Sequence, residues 1–190
     1  IQNLDKSAST TISPLQGMYN SLQARLRKVE GDIKKVEAVL NQVDDASFKL
    51  YPDEHIIDAI EGQWLTDGKG GPKGLLFCTD HRLIFEQRED VALKKVLFVV
   101  TEKQKVQKVA LEAPIGAAAQ VKESESGALL LRKDHLDIVF GPQSKVRSAH
   151  FILKGDSAEW QRLINRVIAG EMAKERVQTE GAASAEEKPK

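Results

Sequence analysis

The chain has 190 residues, and its 28 Lys and Arg are balanced by 28 Asp and Glu, so its formal net charge is zero. This length accommodates one ordinary domain with an appendage, and the balanced charge gives no overall field that would favour nucleic acid or an anionic membrane. Cys78 is the only cysteine, which excludes an intrachain disulfide and favours a reducing, cytoplasmic compartment. The longest aliphatic or aromatic run, 96–100, is too short to span a bilayer.

A long amphipathic helix is predicted over residues 13–50, after a flexible segment over 1–12. Ser13 is a suitable N-cap and Pro14 suits the first helical position. Apolar residues then recur with gaps that alternate between four and three, the heptad spacing of a coiled coil. This seam consists of Leu15, Tyr19, Leu22, Leu26, Val29, Ile33, Val36, Leu40 and Val43. Because the first residue is Ile1 rather than Met, we also expect the sequence to be a segment of a longer protein.

The composition of the seam indicates how it pairs. Its a positions are Tyr19, Leu26, Ile33 and Leu40, and most of its d positions are valine, which is the reverse of what parallel dimers prefer. Glu30, Glu37 and Asp44 also share one flank of the seam. Antiparallel pairing, a higher bundle or docking on another helix is therefore favoured over a parallel homodimer. A helix folded back on its own domain is the alternative that this pattern leaves open.

From residue 51 to 170 the pattern changes to short apolar runs separated by turn residues, which is typical of an antiparallel barrel or sandwich. Beyond the first run, 55–65, and a strand pair within 74–85, strands are predicted at 93–100, 106–111, 115–121, 128–132, 136–140 and 147–153. Turns are predicted at 125–127, 133–135 and 141–143.

One helix is predicted to close this series of strands. Asp156 caps it and Gly170 ends it. Its apolar face consists of Trp160, Leu163, Ile164, Val167 and Ile168. Residues 171–190 contain no aromatic residue and are predicted to form a disordered tail.

Residues 74–85 read Gly-Leu-Leu-Phe-Cys-Thr-Asp-His-Arg-Leu-Ile-Phe and predict two strands joined by a polar turn. This stretch resembles the hairpin of GRAM and bacterial pleckstrin-homology-like (PH-like) domains, and the resemblance extends over about 53–170. It implies an α+β fold: a PH-like antiparallel β-barrel or sandwich capped by a C-terminal helix, preceded here by the long coiled-coil helix. It also implies a module that holds a partner rather than one that transforms a substrate.

No catalytic or metal site is predicted. Cys78 and His81 lie at odd spacing on a strand and its turn, so we expect them to point in different directions, with Asp80 bonding backbone amides. The other histidines, His55, His135 and His150, have no spacing typical of metal ligands. We therefore expect no enzyme activity, no cofactor and no metal.

Basic residues form one possible anionic-ligand site. In PH-like domains, basic loops at the open end of the barrel can hold lipid phosphates. By that resemblance the candidate contacts are Lys69, Lys73, Lys94, Lys95, Lys103, Lys105 and Lys108. Acidic residues interrupt the cluster, and the alternative is a solvated charged face.

Taken together, the sequence predicts a non-enzymatic interaction or assembly module. The helix mediates oligomerisation or docking, and the PH-like domain binds a protein partner. A peripheral membrane adaptor that binds anionic lipid through its lysines is the alternative. Nucleic acid is not expected, because few aromatic residues are available for stacking.

Overall fold

The computed structural model describes residues 2–66, 70–96, 99–128 and 132–173. It divides the chain into two compact units, Ile1–Asp45 and Ala46–Lys190. The predicted α+β class is confirmed: the described residues form a long N-terminal helix, an antiparallel sheet of seven strands and a C-terminal helix.

The N-terminal helix, α1 (Gln2–Asp44), has 43 residues. It differs from the prediction at both ends, because it includes residues 2–12 of the segment expected to be flexible and stops before residue 50. Pro14 lies inside the helix, where it lacks one N–H donor, yet the helix continues on both sides. Beyond Asp44, the N–H of Ser47 donates instead to the Glu86 carboxylate, which gives that amide a partner outside any helix. No helix of the described chain is long and apolar enough to cross a membrane.

The sheet is built from consecutive antiparallel strands. They are β1 (Ile56–Trp64), β2 (Lys73–Thr79), β3 (Arg82–Val96), β4 (Val99–Pro114), β5 (Ala118–Ser126), β6 (Lys133–Phe140) and β7 (Ser148–Leu153). Their order across the sheet is β4-β3-β2-β1-β7-β6-β5. Within the described chain, β4 and β5 are thus the two edge strands, and a 3-10 turn (Ile115–Ala117) connects them.

The strand boundaries correct several predictions. Residue 132 and the described residues 127 and 128 lie outside any strand, so the strand predicted at 128–132 is wrong there. The turn predicted at 133–135 is the start of β6 instead, because the β5–β6 ladder runs out to the pair Ser126 and Lys133. The separate runs 106–111 and 115–121 become the end of β4, the 3-10 turn and the start of β5. Backbone pairing thus extends strands through polar residues that read as turns.

The core lies between the sheet and the C-terminal helix, α2 (Ser157–Ile168). Asp156 caps α2 by accepting the N–H groups of Ala158 and Glu159, and Gly170 follows it with a φ of +70°. Trp160 is buried, as predicted. α2 packs on β5, β6 and the 3-10 turn, and Gln161 Nε2 donates to the carbonyl of Val121 on β5 at 2.9 Å.

The predicted tail is only partly within the described chain. Residues 171–173 are helical, and Met172 packs against the core, so order extends beyond Gly170. The rest of the predicted tail, 174–190, lies outside the described residues.

Candidate functional site

The apolar seam of α1 is largely exposed. Eight of its nine residues, all except Val43, expose 50–61% of their surface. They lie along one stripe because gaps of three and four residues bring side chains to the same helix face. Monomeric proteins rarely expose contiguous apolar surface of this extent, and such patches mark interaction sites.

The opposite face of α1 is lined by small residues. Gly17, Ala24, Gly31 and Ala38 recur there every seven residues. A Cβ added at Gly17 or Gly31 would meet no neighbouring atom, so larger side chains fit on this face. The two faces thus offer matched positions for substitution.

Six of the seven candidate lysines are distributed over β2, β3 and β4. Lys73 begins β2, and Lys105 and Lys108 are exposed on β4. The backbone register places Asp90 opposite Lys105 and Glu102 opposite Lys94, so acidic residues alternate with the basic ones across this ladder. Lys95 and Lys103 lie on the same two strands, and Lys69 is outside the described residues.

In the hairpin at 74–85, which carries the PH-like resemblance, the motif residues have structural roles. A Cβ at Gly74 would overlap the carbonyl oxygen of Glu86, so glycine allows β2 and β3 to pair there. Thr79 Oγ1 accepts the N–H groups of His81 and Arg82, which closes the turn. Leu83, Ile84 and Phe85 are fully buried.

Arg82 is the centre of a buried ionic cluster. Its Nε and Nη2 donate to the two carboxylate oxygens of Glu54, both at 2.8 Å, and its Nη1 donates to Glu112 at 2.7 Å. Tyr51 covers it, with the guanidinium carbon 4.1 Å from the ring centroid. Burial alone would raise the pKa of the Glu54 carboxyl, but hydrogen bonds from Arg82, Thr79 and the Tyr51 N–H outweigh it and hold that pKa below its ordinary value.

This cluster fastens the connector, residues 46–55, to the sheet. Arg82 Nη2 also donates to the carbonyl of Lys49 at 2.8 Å. Phe48 packs edge-on against Phe77, with ring centroids 5.0 Å apart. The sequence alone identified Arg82 as part of a motif but not Glu54 as its partner, because the two residues are separated by 28 positions.

Cys78 and His81 lie in different surroundings, as predicted. Cys78 is fully buried, and burial, followed by the charges of Asp58 and Asp80, raises the pKa of its thiol to about 12. His81 lies at the surface, and its hydrogen bond to Asp80 raises its pKa. Asp80 also accepts the N–H of His55 at 2.8 Å, the role predicted for it.

Two histidines that looked scattered in the sequence are brought together by β6 and β7. His135 Nδ1 lies 2.9 Å from His150 Nε2. Ser126 Oγ lies 2.6 Å from His135 Nε2, and Asp137 Oδ1 lies 3.3 Å from His150 Nδ1. A single tautomer satisfies the chain, in which each ring donates from Nδ1 and accepts at Nε2. Burial, followed by the charge of His150, lowers the pKa of His135.

The strand register explains why sequence reasoning missed this pair. Asp137 is directly opposite His150 in the β6–β7 ladder, and His135 is its neighbour on the same face. Among the residues that the structure describes, no group of three or more His, Cys, Asp or Glu is arranged to hold a metal ion.

A groove of about 610 Å³ follows the outer edge of β4. It is lined by residues 109–112 and Pro114 of β4, by Lys145 and Val146 of the β6–β7 loop, and by Tyr51. Consecutive residues of a strand point to opposite faces of a sheet, so a groove that touches four in a row runs along the edge rather than over a face.

Comparison with known proteins gives structural similarity only. No family model matches the chain, and no curated protein matches it. Among solved structures, the Vps36 N-terminal PH domain is 17% identical, with a TM-score of 0.42 over 66% of this chain and 86% of that one. The DH/PH domains of p115-RhoGEF are 10% identical, with a TM-score of 0.39 over 76% of this chain and 43% of that one.

A third similar structure is the C-terminal domain of an unknown protein from Leishmania infantum. It is 14% identical, with a TM-score of 0.35 over 60% of this chain and 85% of that one. Two of these three structures contain PH domains by their descriptions. At this level of identity and superposition, none of them assigns a function to the chain.

Proposed function

We propose that this chain is a non-enzymatic interaction and assembly module. In this proposal α1 joins the chain to a second copy through its seam, and the seven-stranded unit binds a protein partner. The observation that carries the proposal is the exposure of eight seam residues by half or more. Leaving such a stripe in water is unfavourable by about 25 cal/mol for each Å² of apolar surface, and a second helix removes that cost.

Light scattering over a concentration series tests the self-assembly. The double variant Leu26→Glu, Ile33→Glu places two charges in the seam and should yield a monomer. The control Ala24→Glu, Gly31→Glu adds the same charge to the opposite face and should assemble like the wild type. A wild-type chain that stays monomeric at high concentration would refute the proposal.

The relative direction of the helices can be measured separately. With a spin label at Ser21→Cys, parallel helices hold the two labels side by side. In a fully overlapped antiparallel pair the labels lie about 24 Å apart along the axis, at 1.5 Å per residue on either side of the seam's midpoint. The long distance is expected, because leucine at a and valine at d disfavour the parallel dimer.

Binding to anionic lipid is the second candidate. The exposed Lys73, Lys105 and Lys108 support it, and each lysine near an anionic surface contributes about 1 kcal/mol. The acidic residues opposite Lys94 and Lys105 weaken it, and for this reason we place it second. Cosedimentation with phosphatidylserine vesicles, strong at low salt and lost at high salt, would favour lipid over protein as the ligand.

A further inference from the structure

The facing histidines of β6 and β7 lie on the outer face of the sheet. Consecutive residues of a strand point to opposite faces, and Leu136 belongs to the core, so its neighbour His135 points outward. The same alternation applies to Phe151 and its neighbour His150. Both histidines are half-buried, and the side chain of His150 is 38% exposed. The pair is therefore held in place by the two strands yet accessible to a small solute.

The separation of the two facing nitrogens suits a metal ion. His135 Nδ1 and His150 Nε2 are 2.9 Å apart. Two imidazole nitrogens that each lie about 2.0–2.1 Å from one ion are about 2.8–3.0 Å apart at a right angle, and about 3.3–3.4 Å apart in a tetrahedron. The observed distance matches the right angle, which is typical of square-planar or tetragonal Cu²⁺ and Ni²⁺ sites. Because the χ2 torsion of histidine is broad, each ring can turn its lone pair toward an ion beside the N–N line while the backbone stays in place.

The two outer ring nitrogens have partners of the kind that orient metal-binding histidines. His150 Nδ1 lies 3.3 Å from Asp137 Oδ1, and a carboxylate beside the second nitrogen is common in metal-binding histidines. His135 Nε2 lies 2.6 Å from Ser126 Oγ, and a hydroxyl both donates and accepts. When His135 binds an ion through Nδ1, its proton resides on Nε2 and the Ser126 oxygen accepts it. Binding thus moves one proton within one ring, and both imidazoles remain neutral ligands.

The other two histidines face a carboxylate instead. His55 Nδ1 and His81 Nδ1 contact the two oxygens of Asp80, at 3.2 and 2.8 Å. The hydrogen bond to Asp80 raises the pKa of His81 and so favours the protonated ring, which has no lone pair for a metal. Burial and the charge of His150 lower the pKa of His135 and so favour the neutral ring. The two pairs of histidines therefore differ in their suitability for a metal.

The charges around the β6–β7 pair are mixed. Asp134 and Asp137 act on His135 together with Lys133. Lys122 lies opposite Asp137 in the β5–β6 ladder. Two acidic side chains are thus offset by two basic ones, so the affinity of the site depends on its imidazole nitrogens rather than on a negative field.

From these observations we infer that His135 and His150 form a binding site for a divalent transition-metal ion of the Cu²⁺ and Ni²⁺ class. The ion binds His135 Nδ1 and His150 Nε2, and water fills its remaining coordination positions. A site with two protein ligands is smaller than the groups of three or more that the described residues lack. Because its ligands come from neighbouring strands, the bound ion joins β6 to β7.

Isothermal titration of the full chain, free of any affinity tag, with NiCl₂ at pH 7.5 tests the site. Binding should be at least about tenfold weaker in His135→Gln and in His150→Gln, since even the loss of an outer partner of a metal ligand costs about 10–100-fold in affinity. The matched controls His55→Gln and His81→Gln remove the other two histidines and should bind like wild type. Cu²⁺ should bind more tightly than Ni²⁺, and Mg²⁺, which prefers oxygen ligands, should not bind.

Two further measurements locate the ion. Substoichiometric Cu²⁺ is paramagnetic, so it should broaden the amide resonances of 133–137 and 148–152 in the wild type and leave those of 53–55 and 80–82 sharp. An ion that binds only the folded chain also stabilises it. Ni²⁺ should therefore raise the urea midpoint of the wild type and leave that of His135→Gln unchanged.

Three outcomes would overturn the inference: no Ni²⁺ bound at millimolar concentration, wild-type affinity in either His135→Gln or His150→Gln, or broadening centred on His55 and His81. Circular dichroism checks the fold of each variant, and the Cu²⁺ measurement on the wild type decides the matter if a variant does not fold. The site is independent of self-assembly through α1, which light scattering measures separately.

Discussion

The guanidinium of Arg82 and the carboxylate of Glu54 form a two-pronged ion pair in which both hydrogen bonds measure 2.8 Å and both side chains are buried. A bidentate pair of this kind fixes the relative orientation of the two side chains as well as their separation, because two N–H groups of the guanidinium match the two carboxylate oxygens. It joins the connector to the β2–β3 hairpin and so stabilises the part of the sheet unit that follows α1.

The first prediction concerns this pair. Glu54→Gln keeps the shape of the side chain but leaves the arginine charge without its buried counterion, and it should lower the free energy of unfolding by about 3–5 kcal/mol. Glu61→Gln removes the exposed pair with Lys154 and should cost less than about 1 kcal/mol. Urea denaturation followed by circular dichroism measures both. Equal losses of unfolding free energy in the two variants would show that the buried pair stabilises the fold no more than the exposed one.

The second prediction concerns the C-terminal helix. Trp160→Ala removes a buried aromatic ring that lies in the core, and it should cost about 3–5 kcal/mol of stability. Ile168→Ala shortens a side chain on the same helix that is 40% exposed and should cost far less. Circular dichroism suits this measurement because the variant loses a fluorophore. A cost for Trp160→Ala no larger than that of the control would show that the ring does not stabilise the fold.

The third prediction is a pH dependence that originates at His135. Its pKa is lowered in the folded state by burial and by His150, so the unfolded chain, with a pKa of about 6.5, binds a proton that the folded chain does not. This contribution to stability is fully present above the unfolded pKa and is lost as pH falls from about 6.5 towards the lower folded value. His135→Gln should therefore flatten the fall in the urea midpoint between pH 7.5 and 5.5.

The groups around His135 and a second histidine elsewhere in the sheet unit bear on this measurement. Ser126 on β5, Lys133, Asp134 and Asp137 on β6, and His150 on β7 surround it. His81 has a raised pKa, so it contributes stability below 6.5 that is lost as pH rises through its folded pKa. His81→Gln should accordingly steepen the decrease of the urea midpoint on acidification. If His81→Gln and His135→Gln changed the pH dependence of that midpoint in the same direction, the assignment would be contradicted.

The fourth prediction concerns Cys78. Its thiol has a pKa of about 12 and is fully buried, so iodoacetamide at pH 8 should label the folded protein far more slowly than the protein in urea. A cysteine introduced at the exposed position of Lys122 in β5 provides the reference rate for an accessible thiol. Rapid modification of Cys78 at neutral pH in the folded protein would reveal an activated thiol and contradict the structure.

Local patterns in the sequence predicted the local elements well. The seam from Leu15 to Val43 and the capped helix with Trp160 follow from spacings of three and four, which depend on neighbours along the chain. The hairpin at 74–85 was predicted by its turn residues. Each of these elements carries its own signal within about a dozen residues.

Features that depend on distant pairing could not be predicted in the same way. Asp134 and His135 read as turn residues, and only the partner strand β5 makes them part of β6. The β6–β7 register brings His135 into contact with His150. Glu54 binds Arg82 because the connector packs along the sheet. The groove beside β4 likewise combines a strand, a loop and Tyr51 from three separate parts of the sequence.

The contact of Gln161 with Val121 has a consequence for how the sheet can grow. A strand-to-strand polymer needs two complementary open edges on every subunit, one to receive and one to offer. Here the edge at β5 is engaged by a side chain of α2, whereas among the described residues no helix side chain bonds to the outer edge of β4. Addition at one side therefore terminates after a single step, which protects a domain with an open strand from forming fibrils.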